Sequence, residues 1–403
     1  MSRTARRLST VAVVPFASIA LAAALGASAA ADDADAEDEL QVEFNLAPEF
    51  TIGDRSFKII GRLQGDYTAA DASLSGLSDS WSGSEIRRGR IGVEGEDGRI
   101  SFRLETAFEE SDALIEDAWI NVDLGEATLI AGHWKVPVSL NEQTSSRHIT
   151  SLERAGFTDA FGFGRRMGVG VQRRGERYTF KAGVFGDNVN DDTGAADESV
   201  AAAARLTFNP AIFDDGRIVH LGASARVREA ADGMPFGYGQ RPQIHISDAF
   251  IDAGDFAESD TFFGVEGAYV AGRLHLEGEL ATLDADGPGA DATFQGGYLE
   301  GGFFLTREDS KGYRNGAFDR TRPHRSLNEG GRGAWEARGR LDWIDLDDGP
   351  TPGGSQTAYT VGLNWFATDY LRFLGEVTHA EIEDGPSGSG DVRSVSIRGA
   401  IDW

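Results

Sequence analysis

The chain is built from short segments in which apolar and polar residues alternate. Phe57, Ile59, Gly61, Leu63 and Tyr67 interleave with Lys58, Arg62, Gln64 and Asp66. Ile91 and Val93 interleave with Arg88, Arg90 and Glu94, and Ile100, Phe102, Leu104 and Phe108 with Arg99, Arg103 and Glu105. Tyr359, Val361, Leu363 and Trp365 repeat the rule, as do Leu371, Phe373, Gly375 and Val377. Successive side chains of a strand point to opposite faces, so each segment reads as a strand with one apolar and one polar face. The pattern predicts sixteen strands, over 57–67, 86–95, 99–109, 114–122, 127–137, 167–173, 177–186, 199–209, 217–228, 261–271, 273–282, 293–305, 334–345, 356–366, 370–380 and 392–403. The last places Val395, Ile397, Gly399, Ile401 and Trp403 on one face and Ser394, Ser396, Arg398, Ala400 and Asp402 on the other. A bare strand edge invites pairing with other chains. Closure of the last strand on the first removes that edge, and an even number of strands with apolar exteriors is the pattern of a transmembrane barrel. A soluble all-β binding protein is the contrasting expectation; it would need a buried core, yet the polar strand faces here carry charges repeatedly.

The connections carry a second regularity. Those at 96–98, 123–126, 174–176 and 367–369 are short, whereas 68–85, 138–166, 187–198, 229–260, 346–355 and 381–391 are mostly long and rich in Gly, Ser and Asp. Short periplasmic turns and long external loops are the asymmetry expected of an outer-membrane barrel. Residues 306–333 break it, being long on the short-turn side. They are also basic, with Arg307, Lys311, Arg314, Arg320, Arg322, Arg325 and Arg332 against Glu308, Asp309, Asp319 and Glu329. Either a strand is misplaced or this segment folds up into the lumen. Residues 40–55 have room for one further short strand.

The N-terminus sets the compartment. Arg3, Arg6 and Arg7 precede an apolar run from Leu8 to Leu25 and a small-residue cleavage site at Ala27-Ser28-Ala29, so 1–29 reads as a secretory signal peptide. An acidic leader is expected over 30–56 and the barrel over 57–403. No later apolar stretch approaches the ~20 residues of a membrane-spanning helix. The chain has no Cys, which removes disulfides and thiolate metal sites. Its net charge of −27 argues against nucleic acid as a partner. The seven His show no metal-binding spacing, and no G-x-S-x-G elbow occurs, so neither an enzyme nor a cofactor is expected.

Several motifs occur in a familiar order. They are Gly61-Arg-Leu-Gln-Gly-Asp66, Glu85-Ile-Arg-Arg-Gly-Arg-Ile-Gly-Val-Glu94, Asp117-Ala-Trp-Ile120, Gly132-His-Trp-Lys-Val-Pro137 and Ser145-Ser-Arg-His-Ile-Thr150. Glu153-Arg154, Arg165-Arg-Met-Gly168, Gly183-Val-Phe-Gly186, Gly302-Phe-Phe-Leu-Thr306, Gly333-Ala-Trp-Glu336 and Gly362-Leu-Asn-Trp365 continue it. In this order the chain resembles the phosphate-selective porin O and P family over roughly its whole mature length. The resemblance implies a sixteen-stranded antiparallel barrel, a homotrimer in outer-membrane lipid, and a lumen lined with Arg and Lys and narrowed by inward-folded loops, one of them periplasmic. The expected fold is thus all-β, a sixteen-stranded antiparallel transmembrane β-barrel with inward-folded loops.

Alternation also nominates the pathway. With apolar residues facing lipid, Lys58, Arg62, Arg88, Arg90, Arg99, Arg103, Lys181, Arg205, Arg226, Arg338, Arg340 and Arg398 point inward, and so does Lys135. Inward acids are Asp66, Glu94, Glu105, Glu336, Asp342 and Glu376. Loop 138–166 is the expected constriction and is basic, with Arg147, His148, Arg154, Arg165 and Arg166 against Glu142, Glu153 and Asp159. Arg62, Arg88, Arg90, Lys135, Arg147, Arg154, Arg165, Arg166, Arg226, Arg338 and Arg340 are the candidates for an anion path. Each could equally brace the wall by pairing across strands. Arg suits the first role because its planar fork hands an oxyanion between bidentate contacts. The expected function is an outer-membrane porin that passes small anions, phosphate or a related oxyanion first. A general porin with little preference is the alternative.

Overall fold

A computed structural model of the chain describes residues 40–109, 113–191, 198–212, 217–349 and 351–403. The signal peptide and most of the acidic leader lie outside these residues. An N-terminal hairpin, β1 (Gln41–Asn45) and β2 (Ala47–Ile52), leads into the first long strands, β3 (Arg55–Leu74) and β4 (Leu77–Asp97). Shorter strands follow: β5 (Ile100–Ala107), β6 (Leu114–Asp123), β7 (Thr128–Lys135), β8 (Arg165–Arg174) and β9 (Tyr178–Phe185). Next come β10 (Val200–Ile212), β11 (Ile218–Glu229), and a small hairpin of β12 (Phe236–Gln240) and β13 (Ile251–Ala257). The wall resumes with β14 (Ser259–Ala271), β15 (Leu274–Gly287) and β16 (Ala290–Phe304). A second small hairpin, β17 (Gly312–Arg314) and β18 (Ala317–Asp319), precedes β19 (Ala334–Asp348), β20 (Thr351–Phe366), β21 (Leu371–Gly385) and β22 (Gly388–Asp402).

Setting aside the three hairpins, sixteen strands remain. Each pairs antiparallel with its sequence neighbour, and β22 closes on β3 through register pairs such as Ile397 with Tyr67 and Arg398 with Asp66. All sixteen fall on the segments that alternation predicts. The seam ends at the terminal residue. Trp403 and Gly61 exchange backbone hydrogen bonds of 3.0 and 3.2 Å. The Trp403 ring lies where a side chain on residue 61 would begin, so glycine there lets the ring pack against the backbone of β3. Below that point β2 takes over the same edge of β3, pairing Glu49 with Lys58 and Phe50 with Phe57.

The strands bury their charges and expose their aliphatic groups. Along β15, Glu277 and Glu279 are 3% and 5% exposed while Leu276 and Leu280 are 41% and 58% exposed. Leu63, Ile91, Ile120, Val169, Leu206, Leu299, Val361 and Ile397 continue the exposed apolar band around the barrel. Water would penalise this arrangement in both directions, by bare apolar area outside and dehydrated charge inside. A bilayer removes the first penalty, and the lumen supplies partners that remove the second. This inside-out pattern argues against the soluble alternative.

Three of the expected external loops are mostly strand. β3 and β4 meet in a tight turn at Ser75-Gly76, and the connections of β19 to β20 and β21 to β22 are as short. In these extensions the alternation inverts while the ladder continues: Ala72, Leu74, Leu346, Ile382 and Val392 are buried on the inner face, and Asp71, Ser73, Asp345, Asp347, Glu381 and Glu383 are exposed on the outer one. The 229–260 connection holds the β12–β13 hairpin, and Asp260, expected in its acidic run, is buried against Arg226 and Arg228.

Candidate functional site

Two wall irregularities set the charge of the lumen. In the β3–β4 ladder Gln64 faces Arg88 and Gly65 faces Ile86, leaving Arg87 as an extra residue. Such a bulge breaks the two-residue period. Arg87 and Arg88 therefore both turn inward, though strict alternation would send one to lipid. In the β5–β6 ladder Leu104 faces Ala118 and Thr106 faces Ile115, so Glu116 and Asp117 oppose Glu105 alone. Both acids reach the lumen, where Glu116 meets Arg90 at 2.6 Å and Asp117 meets Arg165 at 2.8 Å.

Loop 138–166 leaves β7 and crosses the lumen before rejoining the wall at β8. It contains two short helices, Leu140–Gln143 and Gly156–Ala160. Its irregular backbone is satisfied from the far wall. Glu279 accepts from the Leu140 and Asn141 amides at 3.0 and 2.7 Å, Glu376 from the Leu152 amide at 3.2 Å, and Asp342 from the Gly156 amide at 3.1 Å. Wall arginines bind its carbonyls: Arg372 that of Ile149 at 3.0 Å, Arg398 that of Leu152 at 2.6 Å, and Arg340 those of Glu153 and Arg154 at 2.8 Å. Non-regular backbone at membrane depth is tolerated only with such partners. Segment 306–333 rises from the short-turn end to meet this loop, as one of its two readings holds. Lys311 donates to the His148 carbonyl and the Thr150 hydroxyl at 2.8 Å, and the Phe318 amide donates to Thr144 Oγ1 at 3.3 Å.

An open cavity of about 460 Å³ remains between the loop and the inner face of β3 to β9. Eleven cations and five carboxylates line it. Arg62, Arg88, Arg90, Lys135, Arg147, Arg154 and Arg165 are among the cations. Most are held by an acid. Arg62 binds Glu105 at 2.8 Å, Arg90 binds Glu109 at 2.7 Å, and Glu142 receives Lys135 at 3.2 Å and Arg154 at 3.0 Å. Arg147 and Arg103 are held loosely, 3.8 Å from Asp402 and 3.6 Å from Glu94. Two lining cations have no carboxylate partner among the described residues. Lys181 reaches only the Gln143 amide oxygen at 3.2 Å, and Arg174 lies beside Gln172.

The structure does not bring the other four candidates to this cavity. Arg226 is buried against Asp260 and the Phe161 carbonyl, Arg338 against Glu376 and Ser151, and Arg340 against Asp342 and the loop backbone. Arg166 sits at the rim on the Gly186 carbonyl, Ser199 and Asp187. The far lumen is filled by the loop, so inward there means packed rather than wet. Arg87, Arg103, Arg174 and Lys181 are additional lining cations. Arg103 and Lys181 follow from alternation, Arg174 falls in an expected turn, and Arg87 is hidden by the bulge. Its one signal is the adjacent pair Arg87-Arg88.

Electrostatics within the loop favour fixed charge. Burial would raise the Glu153 carboxyl, but Arg87, Arg88 and Arg398 hold it well below the usual carboxylate range. Glu142 is likewise held down, against burial, by Arg154 and Lys135. Burial and the neighbouring Arg320 and Arg147 push His148 far below the ordinary imidazole range, so it stays neutral. Glu153 and Arg154 brace the loop separately. Glu153 binds Arg87 at 2.8 Å and Arg398 at 2.8 Å, while Arg154 turns to Glu142.

Comparison with known proteins bears on this architecture. The family model described as phosphate-selective porin O and P matches residues 57–397. An uncharacterised protein of Caulobacter vibrioides is 35% identical over 349 residues, covering 83% of this chain and 70% of that one. Porin O of Pseudomonas aeruginosa is 25% identical over 381 residues, covering 83% and 85%. OmpT, an outer membrane protein of Vibrio cholerae solved in a trimer form, superposes with a TM-score of 0.56 at 12% identity, covering 87% of this chain and 99% of that one.

Proposed function

The chain belongs to the phosphate-selective porin O and P family, and on that premise we propose that it passes small oxyanions, phosphate first, by diffusion along its basic lumen. As an outer-membrane porin it is a channel and not an enzyme. The observation that carries the ion preference is the charge of the open cavity: eleven cations against five carboxylates, in a protein of net charge −27. A transported ion has to bind weakly and at several places in turn. Cations already held by carboxylates offer only part of their donor capacity, which suits weak capture. Lys181 and Arg174 keep more of theirs. The Ser145 and Ser146 hydroxyls and the Gln143 amide, also in the lining, stand in for water around a partly dehydrated ion.

We further propose that the mature protein follows signal-directed export and assembles as a homotrimer, as OmpT does in its trimer form. The test of selectivity is the zero-current potential of the purified protein in planar bilayers under a potassium chloride gradient, followed by phosphate competition. Anion preference with a chloride current reduced by phosphate supports the reading. A potential near zero with no effect of phosphate leaves the general porin in its place.

A further inference from the structure

The constriction loop begins on a single wall carboxylate. Glu279, on the inner face of β15, accepts from Ser139 Oγ at 3.0 Å, the Leu140 amide at 3.0 Å, the Asn141 amide at 2.7 Å and the Tyr298 hydroxyl at 3.2 Å. It is 5% exposed, and no cation pairs with it among the described residues. Its partners are neutral donors, and all but Tyr298 belong to the loop. The backbone it grips is unusual, because Ser139 has a φ of 59°, which a non-glycine residue adopts only when its surroundings fix it.

From Ser139 the chain leads to the cavity. The Asn141 carbonyl accepts from Arg154, and Asn141 Oδ1 accepts from the Ala155 amide at 3.0 Å. Glu142, one residue on, receives both Lys135 and Arg154. Glu279 thus fixes the turn, the turn fixes Asn141 and Glu142, and these fix two cavity cations. We infer that Glu279 is a positioning residue of the selectivity filter, a wall carboxylate that sets where Lys135 and Arg154 present their charge to a passing anion.

The inference rests on the anion-porin reading for its meaning but not for its test. Glu279→Gln keeps the shape and removes the charge. Its amide offers one acceptor oxygen where two carboxylate oxygens now receive three loop donors. Simple electrostatics predicts that losing a negative charge beside the pore makes it more anion-selective. Loss of positioning predicts the opposite sign. The experiment compares the zero-current potential of wild type, Glu279→Gln and Ser139→Ala in planar bilayers, with heat-modifiable gel migration reporting the intact barrel. A shift toward cations in folded Glu279→Gln, with a smaller shift of the same sign in Ser139→Ala, is the expected result. No shift, or a shift toward anions, overturns the inference. If Glu279→Gln does not fold, the sign in Ser139→Ala decides. A wild-type pore without anion preference removes the reading of the lumen, while the sign of each variant's shift still judges Glu279.

Discussion

The two halves of the lumen put their charges to different purposes. Facing β3 to β9, the open half shows mainly cations to the open cavity. Facing β14 to β21, the packed half carries Glu266, Glu277, Glu279, Glu300, Glu336, Asp342 and Glu376, all buried. These acids hold the loop and its braces. Glu266 binds Arg205 at 2.5 Å and His220 at 2.8 Å, Glu336 binds His275 at 2.6 Å, and Glu376 binds Arg338 at 2.5 Å. Net charge is therefore a poor guide to the field a permeating ion meets. Acids consumed as backbone acceptors, or screened at the rim, act weakly on the cavity. Wall height differs too: β5, β7 and β9 have eight residues each, against fifteen or sixteen in β19 to β22.

The contrast breaks most visibly if a brace is removed. Arg398 joins Asp66 at 2.6 Å, Glu153 at 2.8 Å and the Leu152 carbonyl, with its side chain wholly buried. Arg398→Ala strands Asp66, while Glu153 keeps Arg87, and breaking one partner of a buried pair costs about 3–5 kcal/mol. The expected outcome is a large fall in the urea midpoint of the barrel in detergent. A midpoint within error of wild type would remove the distinction between bracing and lining arginines.

The open half answers differently. Replacing Lys181 and Arg174 by Gln should reduce anion preference while leaving the unfolding midpoint nearly unchanged, because neither gives up a carboxylate partner. The bilayer zero-current potential and the urea midpoint, measured on the same preparation, test both parts. Loss of stability without loss of selectivity would place these two residues with the braces.

Acid should loosen the loop. His148 is held neutral in the folded protein, so the unfolded chain binds a proton that the folded one does not once pH falls below about 6.5. Its contribution is complete above that pH and is lost at up to about 1.4 kcal/mol per unit below it. Glu153, held down by its arginines, acts in the same direction only below about pH 4.3. Urea midpoints from pH 7.5 to 5.5 should therefore fall in wild type and fall less in His148→Gln. Equal slopes would show that His148 already carries a proton when folded.

The smallest effect is expected at the rim. Asp252, Asp255 and Glu258 are exposed, and in 1 M salt the screening length is about 3 Å. Their neutralisation should hardly move the potential there. A larger shift than that of the Lys181 and Arg174 variant would put control of entry at the mouth.

Much of this was legible before the structure. The two-residue period placed every wall strand, because a membrane barrel repeats one rule sixteen times. Alternation also placed Arg62, Arg88, Arg90 and Lys181 inside. It misled at Arg87, where a bulge slips the period, and in the tall hairpins, where apolar residues turn inward and acids turn outward. Arg226, Arg338 and Arg340 obey alternation and still miss the cavity.

The sequence by itself determined which residues face lipid and which face inward, because that choice is made locally, one residue at a time, by the pleat. Only the tertiary structure decided which inward residues meet water. That depends on where loop 138–166 and segment 306–333 lie across the lumen, and their places are set by contacts such as Glu279 with Asn141 and Lys311 with Thr150, between residues more than a hundred positions apart. No local pattern encodes such contacts, since a carboxylate that grips a loop amide and one that faces an open pore have the same strand period.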